Sequence, residues 1–176
     1  GICRSFQIMN IFPKLSVYEN LQIPILSYLN QSMSFYKPAN SHADANKRVD
    51  QLLQEIGLTD KRDLPAGTLS HGDQRLLEIG LAMAPEPKLL FLDEPTAGMN
   101  PVERVRVLEN IRRLSIEKES TFVIVEHDMD IVFSLSDRIV VLHRGQILAD
   151  GTPEEIRQNE DVRKVYLGEE IFWEKK

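Results

Sequence analysis

The stretch KLLFLDEPTAGMNP, Lys88 to Pro101, constrains the fold more than any other part of the chain. Leu89 to Leu92 form a short apolar run between Pro87 and Pro95, a pattern that predicts a buried strand of a parallel sheet. The run stops at two adjacent carboxylates, Asp93 and Glu94. Burying two charges is costly unless a cation or a reaction uses them. In open α/β sheets ligands sit beyond the carboxyl ends of the strands. A strand ending in Asp-Glu is therefore placed to handle a metal ion and a water. The pair is equally compatible with carboxylates solvated where the strand emerges, and alone it does not decide.

The flanking chain supplies helices and further strands. Ser16-Val-Tyr-Glu19 has the form of a capping box and predicts a helix from about Val17 to Leu29. NQSMSFYKPANSHADAN, residues 30–46, reads as a polar loop. Val49, Leu52, Leu53 and Ile56 mark one helical face closed by Gly57. A helix is expected from about His71 to Met83, and Asn100-Pro101 should cap another running to about Ile116. TFVIV, Thr121 to Val125, reads as a second buried strand, and Asp128 to Leu135 as a short helix. RIVVLHRGQILADG predicts a strand pair turning at Arg144-Gly145, with short amphipathic tail helices in TPEEIRQN and DVRKVYLG. Helices before Leu64, then alternating strands and helices, indicate an α/β sheet core with a helical subdomain ahead of it. There is no internal repeat and no low-complexity tract.

A second chemical stretch is TLSHGDQRLLEIG. Ser70 is placed to N-cap the helix, with Asp73 as the acidic half of a capping box. Gly72, in the first turn, keeps that surface bare. A well-capped helix accounts for this pattern by itself. An anion site accounts for it too, because free backbone N–H groups and the helix dipole favour phosphate there. His127 follows the second strand by two residues, where a histidine is commonly structural or solvated. Gln7 in RSFQIMNIF carries no signal alone.

Composition excludes several classes. In 176 residues, 21 Lys and Arg oppose 27 Asp and Glu, and the net charge of −6 disfavours a nucleic-acid-binding surface. A single cysteine, Cys3, excludes an intramolecular disulfide and suits a reducing compartment. No apolar run reaches membrane-spanning length, and no signal peptide is visible. Gly1 to Ile8 reads like the interior of a domain, so a fragment is expected.

Taken together, LSHGDQR, LLFLDEPTAGMNP and IVEHD, in this order and spacing, closely resemble the ATP-binding-cassette (ABC) ATPases over essentially the whole chain. LSHGDQ resembles their signature motif, LLFLDE their Walker B strand, TAGMN (with Gly98 and Asn100) their D-loop, His127 their switch histidine and Gln7 their Q-loop glutamine. RSFQIMNIFPKLSVYENL, AGMNP, EHDMDIV and DVRKVYLGEE resemble the branch serving branched-chain amino-acid importers, with lipopolysaccharide-export ATPases sharing a similar tail.

The resemblance implies an incomplete P-loop NTPase (RecA-like) α/β core with a parallel sheet and an ABC-type helical subdomain. Residues 1–14 would end the N-terminal core, 15–84 form the helical subdomain, 85–150 the core and 151–176 a helical tail. It implies ATP and Mg²⁺ as cofactors, with Asp93 holding Mg²⁺ through water and Glu94 deprotonating the attacking water. His127 would contact the γ-phosphate, and Gln7 would sense the metal and γ-phosphate region. Ser70, Gly72 and Asp73 would lie at the ATP held by an opposite subunit, with the Asp73 charge opposing the phosphate. Implied partners are a second ABC ATPase domain, transmembrane permease subunits and a substrate-binding protein, with no nucleic acid. The implied location is peripheral, on the cytoplasmic face of the plasma (inner) membrane.

The chain also departs from the family pattern. No glycine is followed by lysine, so the G-x-x-x-x-G-K-[ST] phosphate loop is absent from these 176 residues. His71 and Asp73 replace the usual glycine and glutamine of the signature, and Asn100 replaces the D-loop aspartate. The leading reading is the ATPase subunit of an amino-acid importer. A catalytically dead remnant that docks partners stays open, as does a lipopolysaccharide-export ATPase. A soluble ABC ATPase of translation or DNA repair wants basic patches or heptad inserts, which are missing.

Overall fold

A computed structural model describes residues 1–4, 11–29, 43–118 and 120–167. Gln7, most of the expected 30–46 loop and the end of the tail lie outside the described residues. The chain divides into two compact units, Gly1–Glu126 and His127–Lys176.

The first unit is built on a parallel three-stranded sheet in the order β1 (Ile2–Arg4), β2 (Leu89–Asp93), β3 (Thr121–Val125). β2 is central, with Asp93 opposite Val125 of β3, and its Leu90 and Leu92 are fully buried. The expectation of a second buried strand is corrected at β3. Both its ends are exposed, because among the described residues it pairs only with β2.

Among the described residues of this unit there are four α-helices: α1 (Val17–Tyr28), α2 (Ala43–Ile56), α3 (His71–Met83) and α4 (Pro101–Glu117). The capping box at Ser16 and Glu19 forms as the sequence predicts, and Gly57 follows α2 with a φ of +69°. Ala43 to Asn46, inside the stretch expected to be loop, are already helical, with Ala45 drawn into the core beside Val49. One contiguous core joins the apolar faces of α1, α2, α3, β2 and α4. Asn20 is buried within it and binds the backbone of Phe12, Leu15 and Ser16, fastening that segment onto α1.

The second unit holds α5 (Met129–Leu135), the antiparallel pair β4 (Ile139–His143) and β5 (Gln146–Gly151), then α6 (Pro153–Gln158) and the short α7 (Glu160–Val162). The hairpin turns at Arg144 and Gly145, both with positive φ (+49° and +79°), as a two-residue turn of the primed type requires. Phe133, Ile139, Ile156 and Val162 form its separate core.

Candidate functional site at the end of the central strand

β2 delivers Asp93 and Glu94 to its carboxyl end, both half-buried. Glu94 then leaves extended geometry, with a φ of +41° in the left-handed region that non-glycine residues rarely occupy. The turn is held by backbone bonds: Glu94 N–H donates to Val125 C=O at 2.9 Å, and Ala97 N–H donates to Glu94 C=O at 3.1 Å. Successive strand side chains point to opposite faces, and this twist adds a further change of direction between the two carboxylates. Strain of this kind persists only where the surroundings over-determine it. Thr96, almost fully buried, extends the support by donating to the Glu126 carboxylate at 3.1 Å. Gly98 continues the turn at φ +73°, and Asn100 then caps α4 by accepting from the N–H groups of Val102 and Glu103, both at 3.0 Å.

The signature-like stretch forms the N-terminus of α3 in the same unit. Ser70 is exposed and caps the helix, its hydroxyl accepting from Asp73 N–H at 3.3 Å. Two expectations are corrected here. The reciprocal half of the capping box is not formed, because both Asp73 oxygens bind cations instead. Lys61 Nζ lies 2.5 Å from one and Arg106 NH1 2.6 Å from the other. Burial pushes the Asp73 carboxyl up, but the hydrogen bonds from Lys61 and Arg106 outweigh it and the pKa falls below the ordinary value. Its charge is thus neutralised from two sides, which offsets the repulsion of phosphate expected from sequence.

The second correction concerns Gly72. The surface there is not bare: a Cβ on Gly72 would lie 3.0 Å from the Glu103 Cβ of α4. Gly72 N–H donates to the Glu103 carboxylate at 3.3 Å, and Asn100 Nδ2 donates to its other oxygen at 2.8 Å. Hydrogen bonds from the Ser70 side chain and Gly72 N–H hold the Glu103 carboxyl below its usual range. An anion from the chain itself therefore occupies the helix end that phosphate was expected to use.

Sequence reasoning also missed Arg75. It is 5% exposed on α3, paired with the equally buried Glu78, and its guanidinium donates to the backbone carbonyls of Asp93 at 2.7 Å and Pro95 at 3.2 Å. His127 opens the second unit, exposed, just before Asp128 caps α5. Among the described residues no group of three or more His, Cys, Asp or Glu could cage a metal ion. A single carboxylate at a strand end still suits Mg²⁺, which completes its shell with water and phosphate oxygens. A pocket of about 450 Å³ lies elsewhere, lined by Arg48, Glu55 and Lys118 among others, and contains none of the expected site residues.

Residues 1–97 match the family model described as ABC transporter. The chain is 42% identical over 174 residues to the high-affinity branched-chain amino acid transport ATP-binding protein BraF of Pseudomonas aeruginosa, covering 96% of this chain and 68% of that protein. The chain belongs to the ABC transporter ATP-binding family. The high-affinity branched-chain amino acid transport ATP-binding protein LivG of Salmonella typhimurium is 40% identical over 177 residues at the same coverage. Residues 146–171 of this ABC chain match a second model, described as branched-chain amino acid ATP-binding cassette transporter. Its fold is that of solved ABC cassettes: MJ1267 in its ADP conformation superposes with a TM-score of 0.76 at 28% identity, covering 96% of this chain and 69% of that one.

Proposed function

We propose that this ABC protein is the ATP-hydrolysing subunit of an importer of branched-chain amino acids. The observation that carries the hydrolytic part is the end of β2, where a strand-terminal aspartate is followed by a glutamate in a strained, multiply supported turn. The substrate class rests on the likeness to BraF and LivG and on the match at residues 146–171. In this reading Asp93 would hold Mg²⁺, which would supply charge neutralisation for the phosphates. Glu94 orients and deprotonates the attacking water, and His127 contacts the γ-phosphate. Gln7 senses that region, while Ser70 and Gly72 receive the phosphate of ATP held by a second ABC domain, once Glu103 gives way. Asp73 lies behind them, braced by Lys61 and Arg106, and Gly98 and Asn100 shape the D-loop. Phosphoryl transfer needs such positioning and charge stabilisation more than covalent chemistry.

The partners in this reading are a second ATPase domain, membrane permease subunits and a substrate-binding protein, with the protein peripheral on the cytoplasmic face. No helix among the described residues is long and apolar enough to cross a membrane. The test is Glu94→Gln in the ATP-hydrolysing protein. The amide accepts a hydrogen bond but takes no proton, and general-base help is worth about 10²–10⁴-fold in rate. Turnover should fall by that order while ATP binding persists and an ATP-bound dimer accumulates. Near-normal turnover would remove Glu94 from the role of base.

A further inference from the structure

We propose that Arg75 is a positioning residue for Glu94, acting through the backbone on either side of it; the inference rests on the reading of Glu94 as the base. The Asp93–Glu94 peptide plane is gripped at both ends. Its C=O accepts from Arg75 NH2 at 2.7 Å, and its N–H donates to Val125 C=O at 2.9 Å. Beyond Glu94, the Pro95 C=O accepts from Arg75 Nε at 3.2 Å. One guanidinium thus brackets the single residue whose φ is +41° and whose carboxylate must face the water.

The chemistry of the clamp is specific to arginine. Two carbonyls on separate peptide planes need two donors in a fixed fork, which a lysine ammonium does not supply. Burying the guanidinium requires a counter-charge, and Glu78, one turn along α3 and 4% exposed, supplies it at NH1. Its Nε and NH2 groups donate to the strand end. A pair serving the core alone would need no acceptors on the turn that carries Glu94.

Arg75→Lys in the ATP-hydrolysing protein keeps the charge beside Glu78 and removes the fork. Misplacement of a reacting group by about 1 Å costs on the order of 10²-fold. Turnover per bound ATP should therefore fall by roughly 10- to 100-fold, with KM for ATP changed less than about twofold. Normalising to bound ATP separates misplacement from loss of folded protein. In the Glu94→Gln background the lysine substitution should cost nothing further, because it acts only through Glu94. Wild-type turnover per bound ATP in Arg75→Lys, or full additivity with Glu94→Gln, overturns the proposal. If Glu94→Gln alone leaves turnover intact, the base reading fails first and is recognised separately. Should Arg75→Lys not fold, Glu78→Gln decides: it loosens the clamp and should lower turnover per bound ATP, whereas an unchanged rate sinks the idea.

Discussion

Asp73 shows how one carboxylate changes meaning with its surroundings. At the third position of α3 it reads as a helix cap facing a phosphate, yet it is 3% exposed and held between Lys61 and Arg106. Asp73→Asn keeps the shape and leaves two cations without their counter-charge. Both cations are partly exposed, at 28% and 45% of their side chains, so water recovers part of the loss. Hydrogen bonds to charged groups contribute about 1.5–3 kcal/mol, and a net loss of about 2 kcal/mol is expected. In a chain of this size that lowers Tm by roughly 4–8 °C. The pH dependence has a defined sign. Because the folded pKa lies below the unfolded value of about 3.9, the contribution is fully present above that pH. It is lost as pH falls from there through the lower folded pKa. Unfolding titrations of the two proteins should differ at neutral pH and converge in acid; a gap that persists at low pH would place the effect elsewhere.

At the scale of elements, α4 links the turn after Glu94 to both α2 and α3. Its cap Asn100 ends that turn, Glu103 lies on the N-terminus of α3, and Arg106 binds Asp73 and the Gly57 carbonyl at the end of α2. Asn110 and Arg113 add bonds to the Glu55 carbonyl. Asn100→Ala removes the acceptor for two backbone N–H groups and the donor to Glu103. Losing such a cap costs about 0.5–2 kcal/mol, so Tm should fall by roughly 1–8 °C. Asn100→Ser restores the acceptor and should recover most of it. Equal melting of the alanine and asparagine proteins would mean that α4 is held by its packing alone.

For the whole chain, the absence of a G-x-x-x-x-G-K-[ST] sequence sets an expectation about nucleotide affinity. That loop supplies most of the triphosphate cradle in P-loop proteins. A ligand that binds only the folded state stabilises it by RT ln(1 + [L]/Kd), about 2.7 kcal/mol at 100-fold excess. The 176 residues by themselves should show no saturable rise in Tm with Mg-ATP. A shift of roughly 5–10 °C at millimolar ATP would mean that these residues hold nucleotide without the loop.

The features legible in the residues are those closed within a few positions of one another. Ser16 and Glu19, Asn100 and Pro101, and Arg144 and Gly145 each set a cap or a turn from adjacent chemistry, and each forms as read. The apolar run ending in Asp93 and Glu94 placed β2 and its carboxylates for the same reason. Pairings across the fold carried no such signal. Asp73 finds its cations 12 and 33 residues away, and Arg75 its carbonyls 18 and 20 residues away. Nothing in the sequence marks Arg75 and Glu78 as buried, and Gly72 reads as a bare helix surface. Packing of α3 against β2 and α4 makes the first a buried clamp and covers the second with Glu103. Local propensity determines where a helix or strand begins and stops. Which charges are desolvated, and against what, is decided only when the elements meet, because burial and partner choice are properties of the packed interface.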